Sequence, residues 1–458
     1  MKRLVLCCDG TWSHAVNPQV SNIEKIARSV LRSGGSADPD VEQIVGYVAG
    51  VGARGYLVDQ LLGGAFGYGF TRNVIDGYRF LAMNYEPGDE IVVLGYSRGA
   101  YTARSVVGML SQVGLLTVEA QDAGLLCEAE RVYRLKPPTA RRVARAKRTV
   151  ARTRPGSWRR RRAEAVLRQG DDVRAEKEAF RAEHGIEVPV RFLGVFDTVG
   201  ALGVPGPSRR KNRFHDVSLA PAVLTARQAL AIDERRLTFA PCLWTVPDDD
   251  PPGRVEQVWF PGTHGDVGGG GARCGLSDVA LQWMAAEMRA VGVQFDEHRL
   301  ARQLSPRAPL ILDQAPPWPF RILNAVTRVR PRYATVDGRL VFRRGLRVLA
   351  LPATSSPVSS SPAELTTGIT PHDGMSAQVV GAWRDGVRLA DTVLRHVLRD
   401  GYAALAPNLG WWITEAGGVE RVPVEQVDAA RGDLRPFVVP GDDVIGPVRS
   451  PRALPAGR

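Results

Sequence analysis

No apolar run in this sequence approaches the length of a membrane span. The first residues, Met1-Lys2-Arg3, lead straight into a short apolar strand ending near Asp9, not into a leader with a cleavage site, so the expected location is the cytoplasm. Cysteine is scarce and odd in number. Of five, only Cys7 and Cys8 stand close together, which gives neither a disulfide framework nor zinc-ligand spacing, and no metal or other cofactor is expected. Acidic residues are missing from one long stretch. Between Arg131 and Ala163 there is no carboxylate, while Arg141, Arg142, Arg145, Lys147, Arg148, Arg152, Arg154 and the run Arg159 to Arg162 crowd together. The net charge of +12 is concentrated there and the rest is closer to neutral, so nucleic acid is not the expected partner.

The same segment is short of large apolar side chains and cannot bury a core of its own. Residues 117–187 are therefore expected to be an arginine-rich helical insertion. Two uses are open: a lid or a contact with an anionic membrane surface through residues 131–162, or merely solvated or disordered helix.

What the sequence does have is a strand that runs into a sharp turn. Glu90-Ile-Val-Val-Leu-Gly-Tyr-Ser-Arg-Gly-Ala-Tyr101 carries the pattern G-x-S-x-G at Gly95, Ser97 and Gly99. In that pattern the serine sits on a tight strand-to-helix turn, and the amide of the next residue, Arg98, is aimed at the oxygen that becomes negative in acyl transfer. With Gly at 48 of 458 positions the five letters alone are weak. The setting strengthens them: Pro87-Gly88-Asp89 is a turn, Ile91 to Leu94 is a buried-strand run, and Val106, Val107 and Leu110 repeat at helical spacing. The competing reading is an ordinary turn with a hydrogen-bonded serine.

Strand and helix patterns alternate along the rest of the first 292 residues. Leu4 to Cys8, Ile44 to Val48, Val188 to Phe196 and Val255 to Phe260 read as strands. Helices are expected after Ser21, which with Glu24 makes a capping box, around Val74 to Tyr85, over Leu219 to Ile232, and from Ser277 onward. The glycine-rich passage from Gly50 to Gly69 reads as a loop. The expected fold class is α/β: a mostly parallel, doubly wound sheet of α/β-hydrolase type. Residues 1–292 form the catalytic domain on this reading, interrupted by 117–187. Residues 293–458 form an irregular C-terminal extension that packs on the core, with a helix over Val379 to Arg399, Trp411-Trp412 against the core and a disordered tail.

Ser97, Asp197 and His264 each stand just past the carboxyl end of an expected strand, where open parallel sheets bind ligands. Their order along the chain, nucleophile, acid, base, is that of α/β-hydrolases. The chemistry needs each type: a hydroxyl to attack a carbonyl, an imidazole to take and return its proton, and a carboxylate to hold the imidazole tautomer. His372 is the reserve base. Asp266 is too near His264 to orient it easily and is expected to brace the glycine turn. Asp9-Gly10-Thr11 also resembles the loop of haloacid-dehalogenase phosphatases, but Cys7 occupies the place of their aspartate nucleophile. In a hydrolase the same loop would lend amides of Gly10 or Thr11 to the oxyanion hole beside Arg98, with Asp9 anchoring the turn.

Taken together, Leu6-Cys-Cys-Asp-Gly-Thr-Trp12, Gly64-Ala-Phe-Gly-Tyr-Gly69, Gly95-Tyr-Ser-Arg-Gly-Ala-Tyr-Thr-Ala-Arg104, Gly194-Val-Phe-Asp-Thr-Val-Gly200 and Pro261-Gly-Thr-His-Gly-Asp-Val-Gly-Gly-Gly270 are telling. In these motifs the chain resembles the α/β-hydrolase family that includes the catalytic domain of type VI secretion phospholipase effectors. The resemblance covers roughly residues 2 to 290. It implies a serine esterase or phospholipase, acting on an ester or lipid through an acyl group on Ser97. The different-class alternative is a catalytically silent hydrolase fold that binds nucleic acid or anionic membrane through the basic insertion.

Overall fold

A computed structural model describes residues 1–10, 20–32, 41–50, 65–199, 219–236, 239–246, 249–271 and 273–305. Beyond these it describes only 310–312, 333–336, 339–343, 346–347, 349, 387–393, 406–415, 424–425, 427 and 437–438. His14, Thr11, His215, His372, most of the glycine-rich passage and the tail lie outside the described residues.

The chain opens with β1 (Lys2–Cys8), α1 (Asn22–Ser29), β2 (Glu42–Val48), α2 (Ala65–Asn84), β3 (Glu90–Tyr96) and α3 (Arg98–Val113). Short β4 (Leu115–Leu116), α4 (Val118–Asp122) and α5 (Leu126–Arg134) lead to the long pair α6 (Ala140–Arg152) and α7 (Trp158–His184). After β5 (Gly185–Ile186) come β6 (Val190–Phe196), β7 (Ala226–Ala231), β8 (Val255–Phe260), α8 (His264–Gly268), α9 (Gly275–Ala290) and α10 (Glu297–Gln303). The C-terminal part adds β9 (Leu310–Ile311), β10 (Tyr333–Val336), β11 (Arg339–Arg343), β12 (Leu346–Arg347), β13 (Val387–Ala390), a helix over Pro407–Glu415, β14 (Val424–Glu425) and β15 (Phe437–Val438).

Eight strands pair in the order β14-β13-β8-β7-β6-β3-β1-β2, and every ladder in this sheet is parallel. The two-residue period of the strands splits the core in two. Leu4, Leu6, Cys8, Ile91 and Val93 face one side with Val74, Leu81, Val106 and Leu110 of α2 and α3. Val5, Cys7, Val92 and Leu94 face the other with Ile23 and Ile26 of α1 and Leu281, Met284 and Met288 of α9. Both faces are covered by helices, which is what a parallel sheet requires. Each fully buried aliphatic side chain here contributes about 1.5–3 kcal/mol of transfer free energy.

The C-terminal extension supplies β13 and β14 to the central sheet itself, beside β8. Val379 to Arg399 is thus not one helix: Val387–Ala390 is a strand paired with Gln257–Trp259, and helix follows at 391–393. Trp412 is buried in the same core.

A second expectation fails for a related reason. Leu219 to Ile232, rich in alanine, has helical propensity, yet Ala226–Ala231 is a strand seated between β6 and β8. Its small side chains are buried on both faces, and that tertiary setting overrides propensity. Ser277 does not open α9, which starts after Cys274; its hydroxyl bonds the Cys274 carbonyl from inside the first turn (3.0 Å). At α1 only half of the expected capping box forms. Ser21 Oγ accepts the Glu24 amide, while the Glu24 carboxylate turns to Arg28.

The basic insertion folds as a helical hairpin. Thr139 caps α6 and Ser157 caps α7. Its base is fixed on α3 and α5: Phe180 is buried, Lys177 Nζ donates to Gln112 Oε1 (2.5 Å) and the Tyr133 carbonyl (3.1 Å), and Arg181 bonds the Ser111 carbonyl.

Candidate active site

The sheet changes direction between β1 and β3, because the chain builds β2 on one side of β1 and β3 on the other. At such a switch point the loops after two neighbouring strands part and leave a crevice. Ser97 follows β3 at this switch point. It has φ 58° and ψ −119°, and its amide donates to the Phe196 carbonyl at the end of β6 (3.0 Å). Among the described residues only Ser97 and Asp197 combine a side chain with positive φ. Such backbone is sparsely populated and persists where surrounding structure imposes it. Here the flanking glycines make it attainable. A Cβ on Gly95 would lie 2.5 Å from Ala100 Cα, and one on Gly99 would lie 2.2 Å from the Cys8 carbonyl oxygen.

His264 follows β8 and opens α8. Its ring lies between Ser97 and Asp197. Nε2 is 2.7 Å from Ser97 Oγ, and Nδ1 is 2.6 Å from Asp197 Oδ2. With the carboxylate ionised, Nδ1–H donates to Asp197 and Nε2 is left to accept the serine proton. The imidazole is held between two aromatic rings, Tyr96 at 4.8 Å and the edge of Phe239 at 4.9 Å. Its backbone amide points at Glu234 Oε2 (3.3 Å), and the Tyr96 hydroxyl reaches its carbonyl (3.2 Å). The three residues that the strand ends singled out are therefore joined in one hydrogen-bonded series, all three buried.

The environment sets their protonation. Burial alone would raise the Asp197 carboxyl, but the Arg347 guanidinium and the His264 ring outweigh it and hold the group well below the usual carboxylate range. Burial lowers the His264 imidazole below its ordinary value, with Asp197 opposing and Arg236 adding to the effect. Burial also lowers the Arg98 guanidinium, to about 10.

The supporting residues divide. Arg98 is the first residue of α3, so its amide belongs to the outward-facing set at a helix N-terminus. Gly10 does not fit the expected donor role, because its amide is turned to Asp9 Oδ1 at 2.6 Å. Thr11 is outside the described residues. Asp9 sits at the end of β1 and ties the turn: Oδ2 accepts from Ser21 Oγ and from the Tyr47 hydroxyl, each at 2.6 Å. Asp266 accepts from the Thr263 amide and hydroxyl (both 2.8 Å), so its side chain holds the turn before His264.

The profile described as "T6SS, Phospholipase effector Tle1-like, catalytic domain" matches residues 2–287, more than half of the chain. The chain belongs to this family. Membership supports a lipase- or phospholipase-like hydrolase at the level of the family. The chain is also similar to the uncharacterized protein YEL023C of Saccharomyces cerevisiae, at 27% identity over 258 residues. That match takes in 53% of this chain and 33% of the yeast protein, so the chain spans about a third of that relative's length. Among solved structures, an uncharacterized protein from Pseudomonas aeruginosa aligns with a TM-score of 0.34 and 17% identity, over 64% of this chain and 46% of that one.

Two groups of residues around the Tle1-like site were not foreseen from the sequence. Asp233 and Glu234 follow β7 and hold the β8 turn, Asp233 through the Gly262 amide (2.8 Å) and Glu234 through that of His264. Their signal was present in Ala229-Leu-Ala-Ile-Asp-Glu-Arg-Arg236, but a helical assignment would direct these carboxylates elsewhere. The other is Arg347, beyond the family match, with no local pattern to mark it.

Proposed function

We propose that this chain is a serine hydrolase that cleaves carboxylic esters, phospholipids among them, through an acyl group on Ser97. The observation that carries the proposal is the unbroken series from Ser97 Oγ to His264 Nε2 and from His264 Nδ1 to Asp197 Oδ2, at 2.7 and 2.6 Å. His264 takes the serine proton as Oγ attacks the ester carbonyl, and returns it to the leaving alcohol as the tetrahedral intermediate collapses. The negative oxygen of that intermediate is stabilised by the Arg98 amide at the N-terminus of α3. Water then attacks the acyl-serine with the same proton transfers in reverse roles. Fluorophosphonate labelling tests the activation of Ser97 directly. An activated hydroxyl is expected to react, with loss of labelling in Ser97→Ala, and an unlabelled wild-type chain that turns over no ester would remove the proposal.

The acid limb of activity follows from the burial of the imidazole. Only neutral His264 can accept the proton, so rate is lost as pH falls through its pKa, and burial lowers that pKa. The limb in kcat/KM is therefore expected below about pH 6.5, the ordinary value for histidine. A pH–rate profile with its acid limb above 7 would contradict this reading of the site.

A lipid substrate gives the hairpin a use. Residues 131–163 hold 14 basic and no acidic side chains, more than the chain's whole net charge of +12. Most of them are exposed, and Trp158 at the turn between α6 and α7 is 68% exposed with Arg159 stacked over it. A tryptophan among arginines suits the interface of an anionic bilayer, where each basic residue contributes about 1 kcal/mol. Replacing Arg159, Arg161 and Arg162 with glutamine is expected to weaken co-sedimentation with phosphatidylserine vesicles at least tenfold while short-chain ester turnover stays at the wild-type rate. Unchanged vesicle binding would separate the hairpin from the membrane.

A further inference from the structure

Asp197 is held by more than its histidine. Arg347 of β12 places a guanidinium flat against the carboxylate: Nη1 donates to Oδ1 at 2.6 Å and Nη2 to Oδ2 at 2.9 Å. The same two nitrogens also donate to the carbonyls of Ala231 (2.9 Å) and Phe239 (2.8 Å). Both side chains of the pair are fully excluded from solvent. Each carboxylate oxygen has a second partner, the Ala231 amide on Oδ1 and His264 Nδ1 on Oδ2. Rotation about the Asp197 Cβ–Cγ bond would break all four contacts. The strand that carries Arg347 is fixed in turn, since Asn408 Nδ2 bridges the Arg347 and Ile232 carbonyls.

Stability alone is a weak explanation for this arrangement. A buried ion pair is often no better for stability than apolar packing of the same volume, because both ions must be stripped of water. Here Arg347 Nε is also left buried without a hydrogen-bond partner among the described residues. The guanidinium is placed to serve the carboxylate at the expense of its own fifth donor.

We propose that Arg347 is a positioning residue for the reaction at Ser97: it locks the Asp197 carboxylate onto His264 Nδ1 and shares its negative charge. The site of the Tle1-like domain is on this account completed by a segment outside residues 2–287. The inference rests on the serine-hydrolase reading above and deepens it. The two actions of Arg347 differ in sign. Orientation favours proton transfer, since small misplacement of a reacting group costs up to about a hundredfold in rate. Charge sharing leaves less negative charge facing the imidazolium, which makes His264 a weaker base. The other groups facing the ring are Glu234 and Arg236 after β7, and Tyr96 and Ser97 at the end of β3. A change at Arg347 keeps all of these side chains, although the Arg347 charge also helps to hold the Glu234 carboxyl low.

The test uses the full chain with Arg347→Met and Arg347→Lys. Two quantities are read: kcat and KM on a short acyl ester across pH, and titration of the His264 ring by nitrogen NMR in histidine-labelled protein. Arg347→Met is expected to lower kcat by about ten- to a hundredfold. KM should stay near wild type, and both the His264 titration and the acid limb should move to higher pH. Arg347→Lys keeps the charge without the two-pronged grip, so it should lower kcat while the titration stays near the wild-type position. A His264 titration in Arg347→Met that coincides with wild type overturns the proposal. Should the methionine variant not fold, the lysine variant decides: wild-type kcat with Lys at this position overturns it, and a loss of kcat at unchanged titration supports it. The NMR readout needs no turnover. A wild-type chain without esterase activity or Ser97 labelling would defeat the hydrolase reading, whereas an unmoved His264 titration would defeat only the role of Arg347.

Discussion

A Ser97→Ala chain is expected to lose ester hydrolysis by a factor on the order of 10⁴ or more, with its thermal unfolding midpoint within a few degrees of wild type. The size of the loss follows from the bond that the acyl group must form, for which neither His264 nor Asp197 can substitute. The small effect on folding follows from the contacts. Ser97 Oγ is hydrogen-bonded to His264 Nε2, and alanine keeps the Cβ that the turn already accommodates at φ 58°. Removing the hydroxyl leaves Nε2 buried beside a cavity of atomic size, a cost of about 1 kcal/mol. Short acyl esters and phospholipid vesicles should be assayed side by side, together with fluorophosphonate labelling. Hydrolysis at the wild-type rate in this variant would move the chemistry away from the switch point between β1 and β3.

Asp197→Ala is expected to fail in two ways that can be measured apart. Activity should fall by roughly 10⁴, because His264 loses the group that selects its tautomer and stabilises its charged form. Stability should fall by about 3–5 kcal/mol, because Arg347 is left fully buried without the carboxylate it pairs with directly. The second loss is separate from the chemistry; it arises from the guanidinium on the far side of the carboxylate. Adding Arg347→Met to Asp197→Ala should therefore recover much of the stability and none of the activity. Denaturant unfolding of the single and double variants measures this. An Asp197→Ala chain as stable as wild type would mean that the Arg347 charge is met elsewhere. The pH dependence has the corresponding sign. Since the folded Asp197 carboxyl is held low, its contribution to stability is complete above about pH 4, the unfolded value, and is lost only as the pH falls toward the depressed one.

Much of the site was legible because its parts are local to strand ends. Gly95-Tyr-Ser-Arg-Gly99 announces an elbow by its own sterics, since no larger residue fits at either glycine. Asp197 and His264 each follow a short segment that reads as a strand and ends in a turn, and the carboxyl ends of parallel strands lie on one rim. Asp266 was also close enough to His264 in sequence for a bracing role to be read, though its partner Thr263 came from the structure. Gly10 shows the limit of that reasoning. Its position beside Ser97 is as expected, but the direction of its amide is decided by Asp9, which is itself held by Ser21 and Tyr47 from two other elements.

The amino-acid order by itself determined that β1, β3, β6 and β8 are strands, and hence which hydroxyl, imidazole and carboxylate share a rim, because buried-strand periodicity and turn sterics act over a few neighbouring residues; it did not fix the first residues of β1, β3 and β6. Only the tertiary structure decided that Ala226–Ala231 and Val387–Ala390 are strands, and that Arg347 closes on Asp197 from 150 residues away. In those places the deciding energies are ladder pairing with strands already in place and the meeting of opposite charges in a dry interior, and both depend on partners that no local stretch of sequence contains.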